Sequence, residues 1–135
     1  MEDRGARAVP MSAFERRRQR ALAECMLGIL RPGPGVVRGG FSDRLVAWAV
    51  VLSTLDDPPL NAYKIAELTG LPDTTVKRCL SRLVAQNVAV RLDDKSYIAT
   101  RGFLERPQRA PFLAHIESVV TTAARKLKGD TDKRP

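Results

Sequence analysis

The sequence predicts a mainly α-helical protein with one small β-hairpin. Three observations lead there. Apolar residues recur at helical spacing in five separate segments. The only paired stretches with period-two alternation, VAVRL and SYIAT, flank the three residues Asp93-Asp94-Lys95. Proline and glycine then punctuate the helical segments at intervals no single long helix would tolerate. The 135 residues suit one domain, and an apolar content of 44% is enough for one modest core. The expected arrangement is a single domain over residues 12–128, with a core at 43–100, flanking helices at 12–30 and 110–128, and flexible ends at 1–11 and 129–135.

Each element has its local reason. Ser12 and Glu15 form a capping-box pattern, Ser-x-x-Glu, in front of a stripe of Leu22, Cys25, Met26, Ile29 and Leu30. RPGPGVVRGG then forces a loop. Ser42 is the expected cap of a helix over 43–55. Its LVAWAVVL stretch is apolar on nearly every side, which fits a helix surrounded by neighbours. Trp48 is accordingly expected as a core anchor, the alternative being a ligand-stacking ring. Asp56-Asp-Pro-Pro59 stops that helix. Asn61 caps a short helix over 62–69, with Ile65, Ala66 and Leu68 inward and Gly70 as its C-terminal break. Asp73 is expected to cap a helix to Gln86, with Val76, Leu80, Leu83 and Val84 on its inner stripe. Asn87 stands where a left-handed residue ends it. After the hairpin, Phe112, Ile116, Val119, Ala123 and Leu127 mark the last helix.

The longest apolar run, Leu45–Leu52, has eight residues, too few for a membrane span, and MEDRGARAVP has no signal-peptide pattern. Cys25 and Cys79 are too few and too far apart for a disulfide scaffold. These points lead to a cytoplasmic location. No metal-ligand spacing, phosphate loop or dinucleotide fingerprint is present, so no catalytic residue, metal or cofactor is expected and the chain is read as a non-enzyme. The net charge of +8 favours an anionic partner, yet it is spread: +3 over residues 1–32, −1 over 33–59, and +3 over each of 60–101 and 102–135. The one dense cluster is Arg16, Arg17, Arg18 and Arg20. A solvated helix face explains such charges equally well.

The informative stretch is IAELTGLPDTTVKRCLSRLVAQNVAVRLDDKSYIAT. Ala66 is small where two helices would cross, Gly70 lies at the turn, and Val76, Cys79 and Leu80 seat the second helix on the first. Over residues 60–100 it resembles the winged helix-turn-helix of bacterial transcription regulators. Asn87 stands where that family usually has glycine. The extra first and last helices resemble the MarR-type arrangement, whose flanking helices form the dimer. The resemblance implies a sequence-specific regulator binding double-stranded DNA, a nucleoid-associated repressor acting as a homodimer through 12–30 and 110–128. The alternative is a winged-helix protein-interaction module in a replication or transcription assembly.

With 76, 79, 80 and 83 inward, Thr74, Thr75, Lys77, Arg78, Ser81 and Arg82 are expected to project outward toward a major groove. Asn61 and Lys64 at the start of the preceding helix suit phosphate contact, and Arg91 and Lys95 place cations on the wing. Asp93 and Asp94 oppose them, since carboxylates repel phosphate. Arg78 and Arg82 are the expected guanine readers. His115, the only histidine, borders the last apolar stripe, where packing is the plainer role and a pH switch the sharper one. Cys25 and Cys79 are expected inward as small hydrophobes. Nothing in the residues specifies a small-molecule effector.

Overall fold

A computed structural model describes residues 11–30 and 37–132, the last three of them by backbone alone. The expectations for residues 1–10, for the loop through residue 36 and for the end of the tail lie outside the described residues. The element order is α1 (Ala13–Leu30), α2 (Phe41–Leu55), α3 (Ala62–Thr69), α4 (Asp73–Ala85), β1 (Ala89–Arg91), β2 (Tyr97–Ala99), α5 (Arg101–Leu104) and α6 (Arg109–Asp132). The protein is mainly helical, with one two-stranded antiparallel hairpin.

The chain divides after Arg31 and again after Phe112 into two compact units, so the flanking helices form one body and the segment Pro32–Phe112 the other.

The core of Pro32–Phe112 is built by α2, α3, α4 and the hairpin. Val46 and Val50 of α2, Ile65 of α3, Val76, Cys79, Leu80 and Leu83 of α4, Val88 and Phe103 are all buried in one cluster. Polar groups then fix how α2 meets the hairpin. The buried Ser53 hydroxyl donates to the Tyr97 carbonyl and accepts from the Leu60 N–H, both at 2.6 Å. One turn on, Thr54 Oγ1 accepts from the Ala99 N–H at 2.8 Å. The Tyr97 N–H donates to the Leu60 carbonyl and Asn61 bridges Ser96, so the segment entering α3 runs antiparallel beside β2.

The ends of the helices follow their sequence with two corrections. Asn61 caps α3, its Oδ1 accepting from the Lys64 N–H at 2.9 Å, and Gly70 ends it at φ 75°. Asn87, at φ 60°, closes α4 in the paired pattern of a Schellman turn. There the Val88 N–H donates to the Leu83 carbonyl and the Asn87 N–H to that of Val84. Asp73, however, is the first helical residue of α4 rather than its cap; Pro72 holds that position. Ser42 does not cap α2 either. Gly40 is the N-cap, and Asp43 reaches back to accept from its N–H at 3.1 Å. Gly39, at φ 124°, has no room for a side chain, because a Cβ there would collide with the Asp43 carboxylate.

Three apolar expectations also change. Trp48 is not surrounded: it lies on the outer side of α2, stacked on Phe112 with ring centroids 6.2 Å apart. Leu68 and Val84 are exposed, since both fall at the edge of their stripes. The sequence pattern does not predict the short α5, whose Phe103 is the largest fully buried side chain among the described residues. Phe103 lies under the guanidinium of Arg109 at 4.8 Å and that of Arg106 at 5.3 Å.

In the other unit, α1 and α6 run antiparallel, with Gly28 against Val119 and Glu24 paired to Lys126 at 3.2 Å. Among the described residues of this unit only small ones are fully buried, Ala21 and Ala123. At the start of α1, Ser12 accepts from the Glu15 N–H at 3.0 Å, while the Glu15 carboxylate takes up Gln19 and Arg18. The predicted stripe of α1 is therefore split. Cys25 is half-buried, whereas Leu22, Met26 and Leu30 stay exposed. The tail expected from Gly129 is helical as far as Asp132; a glycine in a helix costs about 1 kcal/mol against alanine, not enough to end it.

Candidate nucleic-acid interface

The exposed side of α4 follows from its buried one. Val76, Cys79, Leu80 and Leu83 turn into the core, which leaves Thr74, Lys77, Arg78 and Ser81 exposed at i, i+3, i+4 and i+7. One continuous stripe thus carries two hydroxyls, an ammonium and a guanidinium. Thr75 sits at its margin, half-buried.

Arg82 is exposed as expected, but unlike Arg78 it is tethered: its Nε donates to Asp43 Oδ1 at 3.0 Å. Asp43 is buried, and the same carboxylate accepts from the Gly40 N–H, while Arg82 Nη2 also reaches Cys79 Sγ at 3.8 Å. Burial alone would raise the Asp43 carboxyl. The donors from Arg82, Cys79 and Gly40 outweigh that and hold it below the ordinary carboxylate value. The effect on the neighbours is reciprocal. Burial first, and then Asp43, push the Cys79 thiol up, and the bond to Asp43 holds the proton of Arg82 more firmly. Asp43 therefore locks the middle of α4 to the start of α2.

The end of α4 is also held. The Gln86 amide exchanges two hydrogen bonds, both 3.1 Å, with the backbone of Arg38, and Arg106 Nη2 donates to the Gln86 carbonyl at 3.1 Å. Arg109 is buried beside Phe103, which draws its pKa down; its Nε has no hydrogen-bond partner among the described residues. The outcome is a rigid helix with one polar face left over, the condition for a site held in fixed geometry.

The remaining candidates flank that helix in sequence and structure. Asn61 is exposed, though its carbonyl oxygen is engaged as the cap of α3. Lys64, in the first turn of α3, pairs with Glu67 at 3.7 Å; both are exposed, so the pair is weak and easily exchanged for another anion. Arg91 is exposed on β1. Lys95 is exposed at the hairpin turn, at φ 70°. Beside it, Asp94 folds onto Ser96, whose hydroxyl and N–H keep the carboxylate charged by lowering its pKa. The hairpin tip is hence mixed in charge, with Asp93 exposed as well.

Asp43 is the residue that sequence reasoning missed. A signal existed: a carboxylate in the first turn of an otherwise apolar helix must find donors if that helix is buried. Among the described residues no three His, Cys, Asp or Glu side chains cluster as metal ligands, and no helix is long and apolar enough to cross a membrane. The sequence matches no protein-family model and no curated protein, and the fold matches no solved structure.

Proposed function

We propose that Pro32–Phe112 is a winged helix-turn-helix and that the protein is a non-enzymatic, sequence-specific regulator of transcription that binds double-stranded DNA. The observation that carries this reading is the exposed Thr74–Lys77–Arg78–Ser81 stripe on a helix otherwise fixed by Asp43, Arg106 and Gln86. Topology supports it. The order α2, bridging segment at Asn61, α3, turn, α4, β1, β2 puts a hairpin directly after a helix pair joined by Gly70-Leu-Pro72. In the proposed complex α4 enters the major groove. Arg78 reads guanine, Lys77 and the hydroxyls of Thr74 and Ser81 meet phosphate or base edges, and Arg82 holds the helix in place. The N-terminus of α3, with Asn61 and Lys64, and the cations Arg91 and Lys95 bind the flanking backbone.

The proposed form is a cytoplasmic, nucleoid-associated homodimer acting as a repressor. Its support is the unit of α1 and α6, which leaves Leu22, Met26 and Leu30 of α1 and Val120 of α6 exposed after the pair has formed. A second copy contacting these residues would complete a core that the two helices alone lack.

Fluorescence anisotropy tests the reading, using the duplex from upstream of the protein's own gene and a scrambled duplex, each titrated at several salt concentrations. Tighter binding to the upstream duplex, lost in Arg78→Ala, is the expected result. Equal binding to both would remove sequence specificity at that site. No binding to either near physiological salt would overturn the DNA reading in favour of a winged-helix module that docks protein.

A further inference from the structure

The outer side of α2 is as apolar as the side that enters the core. Phe41, Leu45, Trp48, Leu52 and Leu55 follow at steps of four, three, four and three residues, the spacing of a coiled-coil seam. At 100° per residue this seam lies opposite Val46, Val50 and Ser53, which are fully buried. Phe41 is 52% exposed, Trp48 41%, Leu52 43% and Leu55 77%. Trp48 keeps that exposure although Phe112 stacks on it. One exposed leucine needs no explanation, but an aligned row of large apolar side chains does.

We propose that this face pairs with the same face of a second copy, α2 against α2 in antiparallel sense about a two-fold axis at Trp48. Such a contact requires a surface that maps onto itself under a two-fold rotation. The seam does so: Leu45 and Leu52 lie on either side of Trp48, and Phe41 and Leu55 are equidistant from it in sequence. Charge selects the direction. Arg38 and Arg44 stand at the N-terminal end of the helix, and Asp56 and Asp57 follow its C-terminal end. The antiparallel arrangement sets cations of one copy toward carboxylates of the other at both ends, while a parallel one sets like against like.

The helix is about 22 Å long, from 15 residues at 1.5 Å each. So short a seam buries less than a standard protein interface, and the pairing is concentration-dependent. It is independent of the DNA reading and uses different residues from the α1 and α6 contact. The seam on α2 and the polar stripe of α4 share no residue, so each can be altered without touching the other.

Disulfide trapping in the full chain tests this geometry, in a Cys25→Ser, Cys79→Ala background. Trp48→Cys should oxidise to a covalent dimer. Leu55→Cys alone should not, whereas an equimolar mixture of Phe41→Cys and Leu55→Cys should cross-link. Homotypic cross-linking of Leu55→Cys would overturn the antiparallel pairing, and so would no cross-linking above background in any of them. Sedimentation velocity gives a second readout that needs no cysteine. In a Met26→Glu background, which removes the contact proposed for α1, adding Leu52→Glu should raise the remaining dissociation constant at least tenfold. An unchanged constant would overturn the proposal, whatever becomes of the DNA reading.

Discussion

The segment Pro32–Phe112 and the pair of α1 and α6 satisfy their apolar residues very differently. The first buries Val46, Val50, Ile65, Val76, Leu80, Leu83 and Val88 completely, and ties its elements together with Ser53, Thr54 and Asp43. The second buries only Ala21 and Ala123 among its described residues; Ile29, Ile116, Val119 and Leu127 are half-buried, and Leu22, Met26, Leu27, Leu30 and Val120 are exposed. The difference teaches that one unit closes a core of its own, whereas the other leaves the apolar surface on which the proposed dimer rests. It also separates the roles: a rigid unit suits the reading of a fixed shape, and an unfinished helix pair suits assembly.

The largest expected effect falls in the complete core. Leu80→Ala should lose about 2–5 kcal/mol of unfolding free energy, because a fully buried leucine leaves a cavity. Met26→Ala, at a half-exposed position, should change unfolding of the isolated chain far less. Denaturant titration of both variants at low protein concentration compares them directly. Similar losses in the two would break the contrast.

Next comes the carboxylate between α2 and α4. Asp43→Ala should cost about 1–3 kcal/mol, since it removes the acceptor for Arg82 and the Gly40 N–H. Its pH dependence has a definite sign. The folded state holds the Asp43 pKa below the ordinary value of 3.8, so the contribution is fully present above that value. It is lost as the pH falls through the lowered pKa. The stability gap between wild type and Asp43→Asn should thus be constant near neutrality and narrow in acid. A gap that widened in acid would contradict the assignment.

Much of the first unit was legible in the sequence, because its signals are local. Asn61 caps, Gly70 breaks, Asn87 turns left-handed, and Asp93-Asp94-Lys95 joins two alternating strands. The polar stripe of α4 follows from its apolar one. What stayed hidden depends on distant neighbours. Arg82 looks the same as Arg78 in one dimension, and only the placement of Asp43, 39 residues earlier, distinguishes them. The all-round apolar pattern of α2 predicts a surrounded Trp48, yet it is equally satisfied by a helix with one apolar face left exposed. The four residues of α5 are too short for any periodicity, so the burial of Phe103 gave no warning. The small residues buried in α1 and α6 are masked by larger ones on the same helices.

A smaller effect is expected where the second unit is altered. Met26→Glu should abolish the association through α1 while the thermal transition of the Pro32–Phe112 core stays in place. Sedimentation velocity beside thermal denaturation reads both. Loss of the folded core in this variant would show that the helix pair is not the separate body its burial implies.

The most direct measurement compares Arg78→Ala with Arg82→Ala, taking duplex affinity and its salt dependence together with melting temperature. Arg78→Ala should melt as wild type, bind the upstream duplex about 5- to 150-fold more weakly and lose preference over the scrambled one, the loss a bidentate guanine contact of about 1–3 kcal/mol implies. Arg82→Ala should melt lower because Asp43 loses its partner, and at a temperature where it remains folded it should keep that preference. The opposite pattern, with Arg82 setting sequence preference and Arg78 setting stability, would contradict the face assigned to α4, and with it the proposed mode of DNA recognition.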